Sequence, residues 1–238
     1  GDRFFSGFES RPNLYFADEA IRMKLIKKEL SNLEKCFLRT QYLVTGTNVL
    51  SSSISAETIF FLLEQAKKSE VKVVIDLNWR EVFWDYSNFA SDTSKKGRIN
   101  LIKNFLNHAH VIKLAKEEAT LFFEIENPSL ISQQMSKRPD VIITDGKNPV
   151  SWHINGFQGN TKIPKSQKIV DTTGAGDAFL AGLISEFISF GYPKSELEIQ
   201  ACVRFASACG LLTCHGEGAI EPQPDYEKVS KFLGSLIS

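Results

Sequence analysis

Net charge is the first thing this sequence lacks: 28 lysines and arginines are matched by 28 aspartates and glutamates over 238 residues. Neither a basic excess nor a long Lys/Arg run is there to supply counterion release, so neither nucleic acid nor an anionic membrane is expected as a partner. Long apolar runs are also missing. Ile59 to Leu63 is among the longest, far short of the roughly 18 residues that cross a bilayer, and no signal peptide opens the chain. The chain therefore reads as soluble. Glycine and proline are modest, 15 and 8 residues, and 42% of the chain is hydrophobic, which excludes disordered and fibrous classes. At roughly 150 residues per domain, one α/β domain, or one with an appendage, is expected. The chain opens on Gly1 rather than Met, and residues 1–8 enter abruptly, so a cleaved chain or a fragment is expected.

Cysteine is scarce as well. Cys36, Cys202, Cys209 and Cys214 are too few and too unevenly spaced for a disulfide scaffold, which points to a reducing compartment. Cys209, Cys214 and His215 sketch half a zinc site, but no CxxC and no second ligand pair accompany them. Buried thiols packing as small hydrophobes are the expectation. His108, His110, His153 and His215 show no metal spacing, and phenylalanines such as Phe60, Phe61, Phe122 and Phe123 fit helix-to-sheet packing better than base stacking.

What is present is an alternation. Ala17, Ile21 and Leu25 recur every four residues in an amphipathic helix over 17–30, followed by a buried strand at Gln41–Thr45. Ser55 is expected to cap a helix whose face is Ile59, Leu62, Leu63 and Ala66. Val71–Leu77 is a continuous β-branched run, the pattern of a strand covered on both faces. A helix at Lys96–Asn107, a strand at His110–Leu114, a helix at Lys116–Phe123 and a strand at Val141–Thr144 follow. Pro149–Ile154 alternates like an edge strand and Lys168–Val170 is a last short strand. Helices at Gly174–Phe190, Ser195–Thr213 and Asp225–Leu236 complete the chain. Strands alternating with helices predict an α/β fold, a mostly parallel sheet between two helical layers, with ligands beyond the carboxyl ends of the strands.

The segment Asp171-Thr172-Thr173-Gly174-Ala175-Gly176-Asp177 sits between the last expected strand and an apolar helix. Strand, glycine turn and helix make an anion site, because first-turn amides point at the ligand and the helix dipole favours its charge. Asp177 is anomalous there, since a carboxylate is repelled by a bound phosphate. It makes sense as a base that takes the proton of a hydroxyl attacking that phosphate. The alternative is a carboxylate that only complements the helix N-terminus. A GxGxxG fingerprint fails at Phe179, and no Gly-Lys-Ser/Thr follows for a Walker A loop.

Residues 171–179, DTTGAGDAF, resemble the signature of the ribokinase-like, or PfkB, carbohydrate kinases. The resemblance assigns Asp177 as catalytic base and Gly174, Ala175 and Gly176 as the anion hole, with Asp171 and Thr173 on the substrate or phosphate side. Asp76-Leu77-Asn78-Trp79-Arg80, followed by Trp84, resembles the DxNxR…W stretch of the fructokinase and ketodeoxygluconate kinase branches. Asp76, Asn78 and Arg80 are thereby implicated with a phosphate or a sugar hydroxyl, against a strand-end turn with Arg80 solvated. Lys113 to Glu118, KLAKEE, resembles the NxxE element, so Glu118 is implied to hold magnesium through water, although Ala115 stands where many members have asparagine. A solvated helix-start carboxylate is the alternative for Glu118. Thr144-Asp145-Gly146 resembles the nucleotide-side TxG turn, with Pro149 in place of a later glycine. Phe205 to Ala219, with Ser207 and Gly218, resembles the segments around the adenine, though a packed helix and an ordinary turn account for most of these residues equally well.

Residues 1–12 resemble what leaves the family's small lid sheet, so 13–238 is expected to be the nucleotide-binding and catalytic core. The family's first strands and its GG…N sugar motif, which precede this point, are not found in these residues. The resemblance implies an ATP-dependent kinase acting on a primary alcohol of a fructose-like or ketodeoxy sugar, with Mg2+ and a monovalent cation such as K+. A cytoplasmic or plastid-stromal setting is expected, with sugar and ATP as partners and a homodimer left open. The competing expectation is a catalytically silent fructokinase-like subunit of a larger assembly.

Overall fold

The computed structural model describes residues 17–84, 94–165 and 169–236; the expected lid remnant at 1–12 and Lys168 lie outside the described residues. Among those residues, six strands form one sheet in sequence order: β1 (Tyr42–Gly46), β2 (Lys72–Asp76), β3 (Val111–Ala115), β4 (Asp140–Thr144), β5 (Val150–Ile154) and β6 (Phe157–Thr161). β1 pairs with β2 in parallel, and helices connect β1 to β2, β2 to β3 and β3 to β4, the connection that parallel strands need. β4, β5 and β6 are antiparallel. The α/β class and the mostly parallel sheet expected from the sequence are therefore the ones adopted. The chain divides into two compact units, residues 1–112 and 113–238.

In the first unit the single helix expected over 17–30 is broken. It is a 3-10 turn at Ala17–Ala20, then α1 (Met23–Lys28), and after Glu29 a separate α2 (Leu30–Phe37). Glu29 leaves helical geometry at φ −105°, ψ 23°, and Ile21 and Leu25 stay 60% and 52% exposed. A stripe of three apolar residues flanked by lysines is too narrow to hold a long helix on a core. The segment is tied by Thr58 instead, whose hydroxyl accepts from the Met23 N–H at 3.0 Å. β1 departs from the expected buried strand: among the described residues it is the end strand of the sheet, and Val44 is 47% exposed. α3 (Ser53–Lys68) starts two residues before the expected cap, so Ser55 is buried in its first turn while Ala56, Ile59, Leu63 and Ala66 face the core. β2 is buried as expected. α4 (Glu81–Trp84) was not foreseen, and α5 (Lys95–Leu106) is capped by Ser94, whose hydroxyl accepts from the Gly97 N–H at 3.1 Å. Trp84, Phe105 and Leu106 are fully buried, each contributing about 1.5–3 kcal/mol through lost apolar exposure.

In the second unit, α6 (Lys116–Phe123) matches its expected bounds, and α7 (Pro128–Gln133) is an addition, with Pro128 in its first turn and the Asn127 side chain as cap. β5 is not the edge strand that its alternation suggested, because β6 pairs outside it. The turn between them is Asn155-Gly156, both at positive φ (50° and 81°), the dipeptide that two-residue hairpins require. Trp152 of β5 is buried by this hairpin, and its indole N–H donates to Thr161 Oγ1 at 2.9 Å. Ile169 and Val170 are not strand, contrary to expectation. The Val170 N–H instead bonds the Cys214 carbonyl at 2.8 Å, so the segment is held by a helix end rather than by a sheet ladder. α8 (Ala175–Phe190) packs on α9 (Glu196–Thr213) closely enough that a Cβ at Gly182 would stand 2.6 Å from Cys209 Sγ. α10 (Tyr226–Ser235) covers both, with Val229 against Ala178, Phe205 and Leu212. Cys202, Cys209 and Cys214 are buried free thiols as expected, whereas Cys36 is exposed. Among the described residues no group of His, Cys, Asp and Glu could hold a metal ion as a cluster.

Candidate active site

The glycine turn is built by three side-chain bonds from one carboxylate. Asp171 Oδ1 accepts from the Thr173 N–H at 2.9 Å and from its hydroxyl at 2.7 Å, while Oδ2 accepts from the Gly218 N–H at 2.9 Å. This draws the 216–219 loop onto the turn. Gly174 follows as the N-cap of α8 at φ 76°, and an added Cβ there would meet Ala219 Cα, Cβ and O, each at 2.9 Å. Only glycine fits a left-handed position that is also walled by backbone. α8 then begins, with Ala175, Gly176 and Asp177 as its first three residues. Their N–H groups have no intrahelical acceptor, although that of Ala175 reaches the Thr172 carbonyl at 3.3 Å. Gly176 and Asp177 are exposed, so an anion can approach from solvent and a carboxylate stands beside it.

Lys113 closes the turn from below. It is 7% exposed, next to the carboxyl end of β3, and an added Cβ on Gly176 would lie 3.0 Å from its ammonium. Two residues on, the Ala115 N–H donates to Glu118 Oε2 at 2.7 Å, which makes half of a capping box that Ala115, lacking a side-chain acceptor, cannot complete. Lys116 bridges Asp145 and Glu126 at 3.4 Å each, which ties the start of α6 to the turn Thr144-Asp145-Gly146. The two carboxylates raise the Lys116 ammonium above its ordinary range. The Thr144 hydroxyl is 3.5 Å from the Leu114 carbonyl, and Gly146 is left-handed at φ 51°. The Ser207 hydroxyl is buried inside α9 and donates to the Val203 carbonyl at 2.7 Å.

Asp76, Asn78 and Arg80 belong to the first unit. Asp76 is buried at the end of β2, opposite Gly46 of β1. Asn78 is left-handed at φ 42°, and the Thr47 hydroxyl donates to the Leu77 carbonyl, joining the loops that leave β1 and β2. Arg80 is exposed and donates to the Trp79 carbonyl at 2.9 Å, beside the Trp79–Trp84 ring pair, centroids 5.1 Å apart.

The family model described as pfkB family carbohydrate kinase matches residues 10–226. The chain belongs to this family. The "Probable fructokinase-7" of Arabidopsis thaliana is 27% identical over 98% of this chain, and the chain spans 66% of that protein. The chloroplastic "Probable fructokinase-6" of the same plant is 29% identical over 71% of this chain, which spans 43% of it. The chain therefore covers roughly half to two thirds of these relatives' lengths. A fructokinase from Xylella fastidiosa, solved with bound ATP, superposes with a TM-score of 0.73 at 23% identity, over 86% of this chain and 65% of that one. That likeness shows a shared fold.

For a pfkB chain, two features of the site were not read from sequence. Lys113 passed as the first letter of KLAKEE, and only its burial at a strand end, unusual for lysine, could have marked it. The Asp171–Gly218 bond joins residues too far apart in sequence for any spacing rule to find.

Proposed function

We propose that this chain carries the phosphoryl-transfer apparatus of an ATP-dependent sugar kinase acting on a primary alcohol of a fructose-like or ketodeoxy sugar. The observation that carries the reading is Asp177, exposed in the first turn of α8 directly after the Gly174–Gly176 turn. In the transfer, the sugar hydroxyl oxygen attacks the γ-phosphorus, the bond to the β–γ bridging oxygen breaks, and Asp177 takes the hydroxyl proton. The amides of Gly174, Ala175 and Gly176 face the charge that develops on the phosphoryl oxygens, and Asp171 and Thr173 hold that turn in shape. Thr144, Gly146, Ser207 and Gly218 form the nucleotide side. Asp76, Asn78 and Arg80 serve the sugar or its phosphate, and residues 13–238 form the core. The buried Glu118 carboxylate suits water-mediated support of a magnesium ion, which would neutralise phosphate charge; K+ is the monovalent ion proposed. The bound ATP of the Xylella fastidiosa fructokinase supports the choice of donor. The buried free thiols and a relative named as chloroplastic support a cytoplasmic or stromal setting. Ala115, without the asparagine of the family motif, is the feature that favours the silent-subunit reading.

A coupled assay of ADP release by the native protein, run with fructose, ketodeoxygluconate and other hexoses, tests the proposal. Sugar-dependent release is expected. ATP binding without release on any sugar would replace the kinase with the silent subunit.

A further inference from the structure

Lys116 stands at the wrong end of its helix. It is the first residue of α6, where the helix dipole is positive and disfavours a cation, and a long side chain held in one place also gives up rotamer freedom. It is held there nonetheless. Its Nζ lies 3.4 Å from Asp145 Oδ2, in the turn after β4, and 3.4 Å from Glu126 Oε2, on the link to α7. Glu126 is fixed in turn by the Thr120 hydroxyl, which donates to Oε1 at 3.1 Å. An isolated exposed pair gains little, whereas a cation shared by two carboxylates, one of them anchored, forms a network. Beyond the β4–β5 ladder, the turn at the end of this network is held lightly. The Asn148 N–H closes it on the Asp145 carbonyl at 2.8 Å, residues 146–149 are exposed, and the Thr144 hydroxyl reaches the Leu114 carbonyl only at 3.5 Å.

We propose that Lys116 is a positioning residue for the nucleotide: it clamps Asp145, and through it the turn Thr144-Asp145-Gly146, to the carboxyl end of β3, so that the donor meets a turn already in its binding shape. The inference rests on the reading of that turn as the nucleotide side of a kinase. Charge acting at a distance predicts something else, because a lysine attracts a polyphosphate and an aspartate repels it. Removing the two charges would then shift affinity in opposite directions. A clamp fails in the same direction whichever end is cut.

The test is calorimetric titration of the native protein with MgATP, beside thermal melting of each variant. Lys116→Met and Asp145→Asn are each expected to raise the Kd by about twofold to fivefold, the scale of an exposed ion pair. The double variant should bind no more weakly than either single one, and Lys116→Arg should recover most of the affinity. Glu126→Gln cuts the arm of the network that does not reach the turn, so it should lower the melting temperature and leave the Kd in place. If Lys116→Met does not fold, Asp145→Asn decides. Tighter binding in Asp145→Asn would reduce the pair to electrostatics and overturn the inference, as would losses that multiply in the double variant. Unchanged Kd in both single variants would overturn it while leaving the kinase reading in place. A wild-type protein that binds no MgATP would remove both.

Discussion

The carboxylate of Asp171 accepts the backbone N–H of Gly218 at 2.9 Å across 47 residues of sequence, while its other oxygen holds both the N–H and the hydroxyl of Thr173. One side chain thus fixes the shape of the glycine turn and the position of the loop that packs on it.

Replacing Asp171 should consequently disturb the site more than its modest burial suggests. Asp171→Ala leaves two backbone donors and a hydroxyl to find other partners, at about 1.5–3 kcal/mol for a hydrogen bond to a charged group. Thermal melting should drop, and calorimetric affinity for MgATP should fall with it, because the turn that meets the phosphate is no longer held. Asp171→Asn keeps an acceptor toward Thr173 and should lose less of both. Equal affinity in wild type and Asp171→Ala would show that the turn keeps its form without this carboxylate.

Gly174 and Gly146 are both left-handed, yet they should respond differently to alanine. At Gly146 nothing lies within 4 Å of an added Cβ, so the cost is the backbone preference alone, about 1–2 kcal/mol. At Gly174 the methyl would also strike Ala219 at 2.9 Å, backbone atoms included, and the 216–219 loop must move. Gly174→Ala should thus lower the melting temperature well beyond Gly146→Ala; matching shifts in the two variants would refute the close packing of turn and loop.

How much of this was legible beforehand depends on whether the signal was local. Lys116–Phe123 and the start of α8 at the glycine turn carry their own boundaries, in a strand-to-helix change of period and a glycine cap, and both appear where expected. The break at Glu29 does not announce itself, since no proline or glycine marks it. The β5–β6 hairpin was readable in principle from Asn155-Gly156, but β6, Phe-Gln-Gly-Asn-Thr, is too polar to read as a strand. It is stabilised by Trp152 lying over Gly159, where a Cβ would stand 2.7 Å from the ring. The DTTGAGD chemistry could be argued from residue types alone. The seat of Lys113 could not, because it depends on β3 and α8 meeting in space.

Glu186 offers a pH test of the α8–α9 packing. It is 8% exposed and, among the described residues, its Oε1 has no hydrogen-bond partner, so burial raises its carboxyl above the ordinary value of 4.5. A raised carboxyl means the fold holds the proton more tightly than the unfolded chain does. Its contribution to stability is therefore complete below about 4.5 and is lost as pH rises through the folded value. On the neighbouring α9, Cys202 and Cys209 are pushed up to about 11 by burial, with Glu186 itself contributing, and stay protonated in this range. Glu186→Gln abolishes the titration. Its melting temperature relative to wild type should be higher at pH 8 than at pH 4, each kcal/mol appearing as about 2–4 °C at this size. A difference independent of pH would mean that Glu186 is not the titrating group.

Asp177 decides between chemistry and helix electrostatics, and the two predict opposite patterns in one variant. If it is the base, Asp177→Asn in the native protein should lower kcat about 10²–10⁴-fold, the scale of acid–base catalysis. Donor affinity should hold or rise, because a negative charge next to the phosphate is gone while the Gly174–Gly176 amides remain. If it only complements the dipole of α8, the same change should cost about 0.3–1 kcal/mol of stability and leave kcat nearly intact. Its exposure in the first turn of α8 suits either role, so kinetics and melting must be measured on the same preparation. A kcat that survives the substitution alongside a lowered melting temperature would remove Asp177 from the transfer step, and with it the observation on which the kinase proposal rests.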